Sequence, residues 1–235
     1  MFPPSFDPKI YKLHEDLKDF SLNQLIQHYK DFGKNEGRFS SKIREKRDLL
    51  NLLDEDVTLN LGEDEINSSY KFIVCDHYRE NIDFITHLQN IYKQLEEDGY
   101  FILIIEDKRY TLNHFIRETT VIDVLTDYYE SSQENSLKRV IEHKCYTTHN
   151  NTELHWNNEH GERRIDENSY YLKYSLNEYR ENNSEPIKIP KYYFTPDSFK
   201  EVFDKIVFLG LTKFNIQEIY PTLRNNNEFF VVLRK

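Results

Sequence analysis

The sequence predicts an α/β fold, and three observations carry that expectation. Phe101 to Ile105 is an unbroken apolar run, the pattern of a central parallel strand covered on both faces. It follows a second strand-like run, Tyr70 to Cys75, across a helical repeat in which Ile82, Ile85, Leu88, Ile91, Tyr92 and Leu95 recur every three or four residues. Strand, helix, strand in that order implies a right-handed crossover. Near the C-terminus, Lys213 to Tyr220 and Glu228 to Leu233 flank Asn225-Asn226-Asn227, which favours an antiparallel hairpin closing the sheet.

The remaining elements follow in chain order. Residues 6–38 read as a helical pair: Asp7-Pro8 supplies an N-cap and a first-turn proline, and Leu13 and Leu17 keep helical spacing. Ser21 caps a second helix whose Leu22, Leu25, Ile26 and Tyr29 face one way, with Gly33 and Gly37 as stops. A charged helix is expected from Lys42 to Asp54, then a short buried strand from Val57 to Leu61 ending at Gly62. Asp98-Gly99 stops the helix before the central strand. Two or three helices fit between Leu112 and His143, and Thr147 to Arg164 is a polar stretch. Residues 165–181 suit a helix anchored by Tyr170, Tyr171, Tyr174 and Tyr179. Pro186 and Pro190 mark a linker into an extended segment, Lys191 to Thr195. Pro196 then opens a helix with Phe199, Val202, Phe203, Ile206 and Leu209 as its apolar positions, closed by Gly210. This divides the chain into a helical module, 1–40, and an α/β domain, 41–235.

Composition narrows the classes of function. The 235 residues are enough for one large domain or one domain with an appendage. Charged residues reach 31%, but 17 Tyr and 16 Phe supply area for a core. A formal charge of -10 with no basic stripe argues against a nucleic-acid backbone as partner. Met1-Phe2-Pro3-Pro4 has no basic or apolar leader, and no run approaches the roughly 20 apolar residues of a membrane span, so a cytosolic location is expected. Cys75 and Cys145 do not form a disulfide scaffold; Cys75, in an apolar strand, reads as a buried thiol.

Two resemblances follow from particular motifs. Phe6-Asp7-Pro8, Tyr11, His28-Tyr29, Gly33 and Glu36-Gly37-Arg38 resemble a helical module found beside bacterial glycosyltransferases and other surface-polysaccharide enzymes. Asp76-His77-Tyr78-Arg79-Glu80, Asp98-Gly99-Tyr100, Asp107-Lys108-Arg109-Tyr110, Thr119-Thr120 and Asp123-Val124-Leu125 belong to a second pattern. It continues through Thr147-Thr148-His149-Asn150, His155 with His160-Gly161, and Phe194-Thr195-Pro196, and ends at Glu228-Phe229 and Leu233-Arg234-Lys235. Over roughly residues 45 to 235 the chain resembles class I S-adenosylmethionine-dependent methyltransferases, specifically methyltransferase-like proteins of bacterial surface-polysaccharide loci. That resemblance implies a Rossmann-like sheet, S-adenosylmethionine as cofactor, and a sugar or sugar-phosphate acceptor. It would place Gly62, Glu63, Asp76 and His77 beside the cofactor.

The departures from the family are concentrated in the nucleotide half. Family members start with a strand ending in an acid and a glycine-rich turn, and an acid after the next strand holds the ribose. Here Asn60 stands where the first acid is expected, and Glu80-Asn81 replaces a Glu-His pair. Only the seven residues from Glu63 to Ser69 separate Gly62 from the strand at Tyr70. The family's two helices and two strands in that interval need about 30 to 40 residues. The sheet is therefore expected to be shortened to about five strands, with Val57 to Leu61 at one edge, and S-adenosylmethionine binding in the usual way would need Glu63 or Asp64 to hold the ribose. An exposed edge also invites self-association.

Two clusters carry the candidate chemistry. After the central strand, Arg109 suits a bidentate grip on a carboxylate or phosphate, with Asp107 as proton acceptor or as helix cap, and Lys108 and Tyr110 beside them. In the polar stretch, His149 and His155 suit a general base near neutrality, His160 suits a contact to the substrate, and Trp156 suits a packing anchor or a cover for a sugar or adenine face. His149, His155 and His160 with Glu159 also have the ligand types for a metal, but they match none of the stronger zinc signatures. The catalytic set is thus Asp107, Arg109 and His149, with Lys108, Tyr110, His155, Trp156 and His160 on the substrate and no metal assigned. The function expected is a polysaccharide-pathway methyltransferase-like protein with a reduced cofactor site. The alternative is a non-catalytic scaffold or binding partner of a glycosyltransferase or methyltransferase.

Overall fold

Four consecutive buried side chains, Phe101, Ile102, Leu103 and Ile104, place their strand in the middle of the sheet. The computed structural model describes residues 17, 19–33, 58–59, 70–76, 83–130, 136–181, 187 and 189–235. Within them the chain is α/β, built on a five-stranded sheet of order β1-β2-β3-β5-β4. The strands are β1 (Thr58–Leu59), β2 (Tyr70–Asp76), β3 (Leu95–Glu106), β4 (Asn215–Tyr220) and β5 (Glu228–Arg234). β1, β2 and β3 run parallel, whereas β5 is antiparallel to both β3 and β4. The C-terminal pair expected from the sequence is present, and its last strand lies inside the sheet with β4 at the edge.

The helices are α1 (Leu22–His28), α2 (Phe84–Gln94), α3 (Val121–Glu130), α4 (Leu137–Tyr146), α5 (Thr152–Trp156), α6 (Arg164–Glu167), α7 (Tyr170–Glu181) and α8 (Pro196–Phe208). Their starts follow local chemistry. Ser21 forms a capping box with Gln24 at α1, Asp83 accepts from the Thr86 amide at α2, and Thr195 with Ser198 boxes α8 behind Pro196. The main core lies on one face of the sheet, where Phe101, Leu103 and Phe229 meet Leu88 of α2, Val124 of α3 and Phe199 of α8. Val74, Ile102, Ile104 and Phe230 form a smaller cluster on the other face, so β3 is covered on both sides as its sequence requires. Leu17 and Leu25, with Phe20 and Tyr29, form a separate cluster around α1.

Several expectations need correction. α2 ends at Gln94, and Leu95 already pairs with Tyr70. Phe72 pairs with Tyr100, so β3 bulges over residues 96–99. Asp98 takes a φ of 60° there, and a Cβ on Gly99 would sit 2.9 Å from the Glu96 carbonyl oxygen. The dipeptide read as a helix stop is a strand bulge. Tyr170, Tyr174 and Tyr179 are exposed rather than anchoring; the buried residue of α7 is Ser175, which bonds the Tyr171 carbonyl and sits against Cys145. Leu209 is exposed beyond α8, and Cys75 is half-buried. The polar stretch contains two short helices, α5 and α6. Asp7-Pro8, Gly37, the charged helix from Lys42, Asn60, Gly62, Glu63, Asp64, His77 and Glu80 lie outside the described residues, as does the side chain of Asp76. Among the described residues no helix is long and apolar enough to cross a membrane.

A buried ion pair joins α3 to α4. Arg139 donates through both terminal nitrogens to Asp127, at 2.9 and 2.8 Å, with the carboxylate 3% exposed. Removing one partner strands a buried charge, at a cost of about 3–5 kcal/mol. Asp127→Ala should therefore lower the unfolding free energy by about that amount in urea titrations. Asp127→Ala with Arg139→Met should lose less than Asp127→Ala alone.

His143 gives the fold a pH dependence. Burial, helped by Lys144 and Arg164, lowers its pKa from 6.5 to about 4. The folded state thus favours the neutral ring, and that contribution is complete above pH 6.5 and lost as the pH falls towards 4. The urea midpoint should fall across that window, and His143→Gln should flatten part of the fall.

Candidate functional site

Three segments meet beyond the C-terminal end of β3: the turn that follows it, residues 147–161, and the β4–β5 connection. Asp107 leaves the strand and caps a 3-10 turn, Lys108–Tyr110, by accepting from the Arg109 amide at 3.1 Å. The same carboxylate accepts from Arg109 Nε at 2.9 Å and Nη2 at 2.6 Å, and from the Thr222 hydroxyl at 2.6 Å. Asp107 is fully buried, so these donors replace the water an exposed carboxylate would hold. Its amide donates to Asn227, and the Lys108 amide donates to Phe194.

This geometry divides the block between roles. Asp107 is the anchor and helix cap, and Arg109 pairs with it. The Arg109 side chain is 43% exposed, and among the described residues its Nη1 makes no hydrogen bond, which leaves one edge of the guanidinium turned outward. Hydrogen bonding to Asp107 raises its pKa further, keeping it cationic. Lys108 is buried and donates to the His114 carbonyl at 2.7 Å; burial lowers its pKa. Its ammonium is thus engaged with the backbone of the next turn. Tyr110 lies flat against Trp156, with ring centres 3.8 Å apart and planes within 6°. The indole N–H donates to the Asn226 carbonyl at 2.8 Å.

The second cluster is built by chain folding over short distances. Thr148 donates its amide to Leu112 and its hydroxyl to the His160 carbonyl, and Asn150 accepts from the Leu112 amide. Asn151 caps α5, Asn158 takes a φ of 61° just beyond it, and the chain returns His160 towards His155. Gly161, at φ 67°, closes the loop; a Cβ there would lie 2.9 Å from both His149 Cδ2 and Thr148 Oγ1.

Hydrogen bonds assign the histidine tautomers. His149 Nε2 donates to the Glu159 carbonyl at 2.9 Å and its Nδ1 accepts from the Asn151 amide at 3.2 Å. Both nitrogens are used by backbone, so a general-base role for His149 requires the Asn151 bond to be given up. Glu159 enters the cluster through this carbonyl. His155 is buried and donates Nε2–H to the His149 carbonyl at 3.2 Å, leaving its Nδ1 lone pair 3.0 Å from His160 Nδ1. Burial pushes the His155 pKa down to about 4. His114 donates Nδ1–H to the Arg109 carbonyl at 2.8 Å and stacks on His160 at 3.6 Å; burial lowers the pKa of both rings.

Asp107, Arg109, Tyr110 and Trp156 are thus linked to one another, and His149, His155 and His160 form a neighbouring set joined through the Arg109 carbonyl and His114. Sequence reasoning missed His114, Thr222 and Asn226. His114 stands four residues beyond Tyr110, but nothing local marks it as a partner of His155 and His160. Thr222 and Asn226 reach the site only because the β4–β5 connection returns to the end of β3. No protein-family model, curated protein or solved structure matches the chain.

Gly161→Ala tests whether this loop holds the histidines. The strained φ and the close approach to Thr148 and His149 together should cost about 1–3 kcal/mol in unfolding free energy. The His149 and His160 imidazole NMR signals should shift, while an alanine at Gly210, where a Cβ meets nothing within 4 Å, should leave them in place.

Proposed function

We propose that the chain is a methyltransferase-like protein of surface-polysaccharide assembly that has kept the acceptor side of its crevice and lost the usual adenosine cradle. It binds a sugar or sugar phosphate, with methyl transfer from S-adenosylmethionine absent or dependent on an unusual cofactor site. The observation that carries this reading is the direct parallel pairing of β1 with β2, Thr58 opposite Ile73 and Leu59 opposite Val74. Only residues 60–69 separate the two strands in sequence. Fully extended, such a stretch spans about 33–36 Å, enough to return to the start of β2 but too short for two helices and two strands.

The acceptor side supplies recognition chemistry. Arg109, fixed by Asp107, offers its outward edge to a carboxylate or phosphate oxygen. The half-buried Tyr110–Trp156 stack offers an aromatic face against which the apolar side of a sugar ring can lie. A second reading, a non-catalytic partner of a glycosyltransferase or methyltransferase, is favoured by the exposed apolar end of α8, where Val207, Phe208 and Leu209 are 38%, 88% and 50% accessible.

Calorimetric titration separates these readings. S-adenosylmethionine and S-adenosylhomocysteine should give no heat, whereas a uronic acid or hexose 1-phosphate should bind. Arg109→Lys, which keeps a cation beside the buried Asp107 but removes the guanidinium's outward edge, should weaken that binding by about 1.5–3 kcal/mol, tenfold or more. Micromolar binding of S-adenosylmethionine would restore the enzyme reading. Silence from every sugar would leave the scaffold reading ahead.

A further inference from the structure

We propose that His114, His155 and His160 form a binding site for one divalent transition-metal ion, with zinc the best fit. One ring nitrogen of each residue lies within 4.8 Å of the others. More telling is what occupies the opposite nitrogens. His114 Nδ1–H is committed to the Arg109 carbonyl and His155 Nε2–H to the His149 carbonyl. Each bond fixes the tautomer and leaves His114 Nε2 and His155 Nδ1 with their lone pairs. Histidine ligands of metal sites are oriented in this way, by a carbonyl or carboxylate on the far nitrogen.

The third ligand is placed by the loop. His155 Nδ1 and His160 Nδ1 are 3.0 Å apart, close to the roughly 3.3 Å that separates two nitrogens each about 2.0–2.1 Å from a tetrahedral zinc. In this arrangement the His160 N–H donates to the His155 lone pair. Binding moves that proton to His160 Nε2, so His160 Nδ1 becomes a donor to the metal and no net proton is released. The His160 ring must also turn out of its stack on His114, because planes only 13° apart point their lone pairs side by side. His160 is half-buried and lies on a loop between Asn158 and Gly161, so this rotation involves no core side chain.

The ligand set selects the ion. Three imidazoles without a carboxylate suit zinc, copper, nickel or iron(II), and disfavour calcium and magnesium, which want oxygen. His149 is excluded because both of its nitrogens are held by backbone groups. Three protein ligands leave a fourth position for water or for an oxygen of a bound ligand, the pattern of an open site. The site is independent of whether the chain binds S-adenosylmethionine or a sugar.

The test is to strip the full chain with chelator and titrate it with Co2+, reading the visible d–d absorption, and then to displace the cobalt with Zn2+. One equivalent should bind with a tetrahedral or five-coordinate spectrum. His114→Ala and His160→Ala should each weaken binding more than roughly 100-fold, beyond the 10- to 100-fold that loss of an outer partner costs. His160→Cys should restore much of it, and His28→Gln in α1 should leave it unchanged. X-ray absorption of the zinc-loaded wild-type chain should read three imidazoles, a result that does not depend on any variant folding. No saturable one-equivalent spectrum, unchanged affinity in both alanine variants, or fewer than three imidazoles on the metal would each overturn the proposal.

Discussion

The buried carboxylate of Asp107 is the constraint on which the site depends. A carboxylate at zero exposure is tolerated only when charge and hydrogen bonds replace its hydration. Those replacements come from Arg109, two residues away, and from Thr222, in the connection of the sheet's final hairpin. By demanding both, Asp107 fixes the 3-10 turn and ties the β4–β5 connection to the end of β3. The Arg109 guanidinium is thereby held against Asp107, and the Arg109 carbonyl is set where His114 can donate to it. The site's cation and its histidine cluster therefore share one anchor.

Residues 147–161 show how a polar segment can be ordered with few apolar contacts. Thr148, Asn150 and Asn151 each bond backbone of a neighbouring segment or cap α5, and Asn158 and Gly161 supply the left-handed turns. The cost of ordering such a loop is offset by hydrogen bonds that are partly shielded from water, each contributing about 0.5–1.5 kcal/mol. The product is a loop that brings the histidine rings close together. Imidazoles whose outer nitrogens are committed to carbonyls, as in His114 and His155, are suited to ligation, which is why the geometry points to a metal more strongly than the residue spacing does.

The sheet explains where this apparatus stands. β3 is covered on both faces and carries Asp107 directly after its last residue, and Phe194 continues the pairing there through a parallel bridge to Asp107. β5 runs antiparallel beside β3, so the connection before it arrives at the C-terminal end of β3 and delivers Thr222 and Asn226. A parallel final strand would have brought its preceding loop to the opposite end. The antiparallel direction of β5 is thus as much a part of the site as any side chain in it.

Much of this was set locally and could be read without coordinates. The apolar run of β3, the 3.6-residue rhythm of α2 and α8, and the caps at Ser21 and Thr195 depend on neighbours within a few residues, so the sequence determines them. The closing strand pair was legible for the same reason. The tertiary structure alone decided that β5 inserts between β3 and β4, that Asp98-Gly99 is a bulge, and that Tyr170, Tyr174 and Tyr179 of α7 face outward. It alone brought His114 to His155 and His160 and Thr222 to Asp107, because contacts between residues some 40 to more than 100 positions apart leave no period or spacing in the chain.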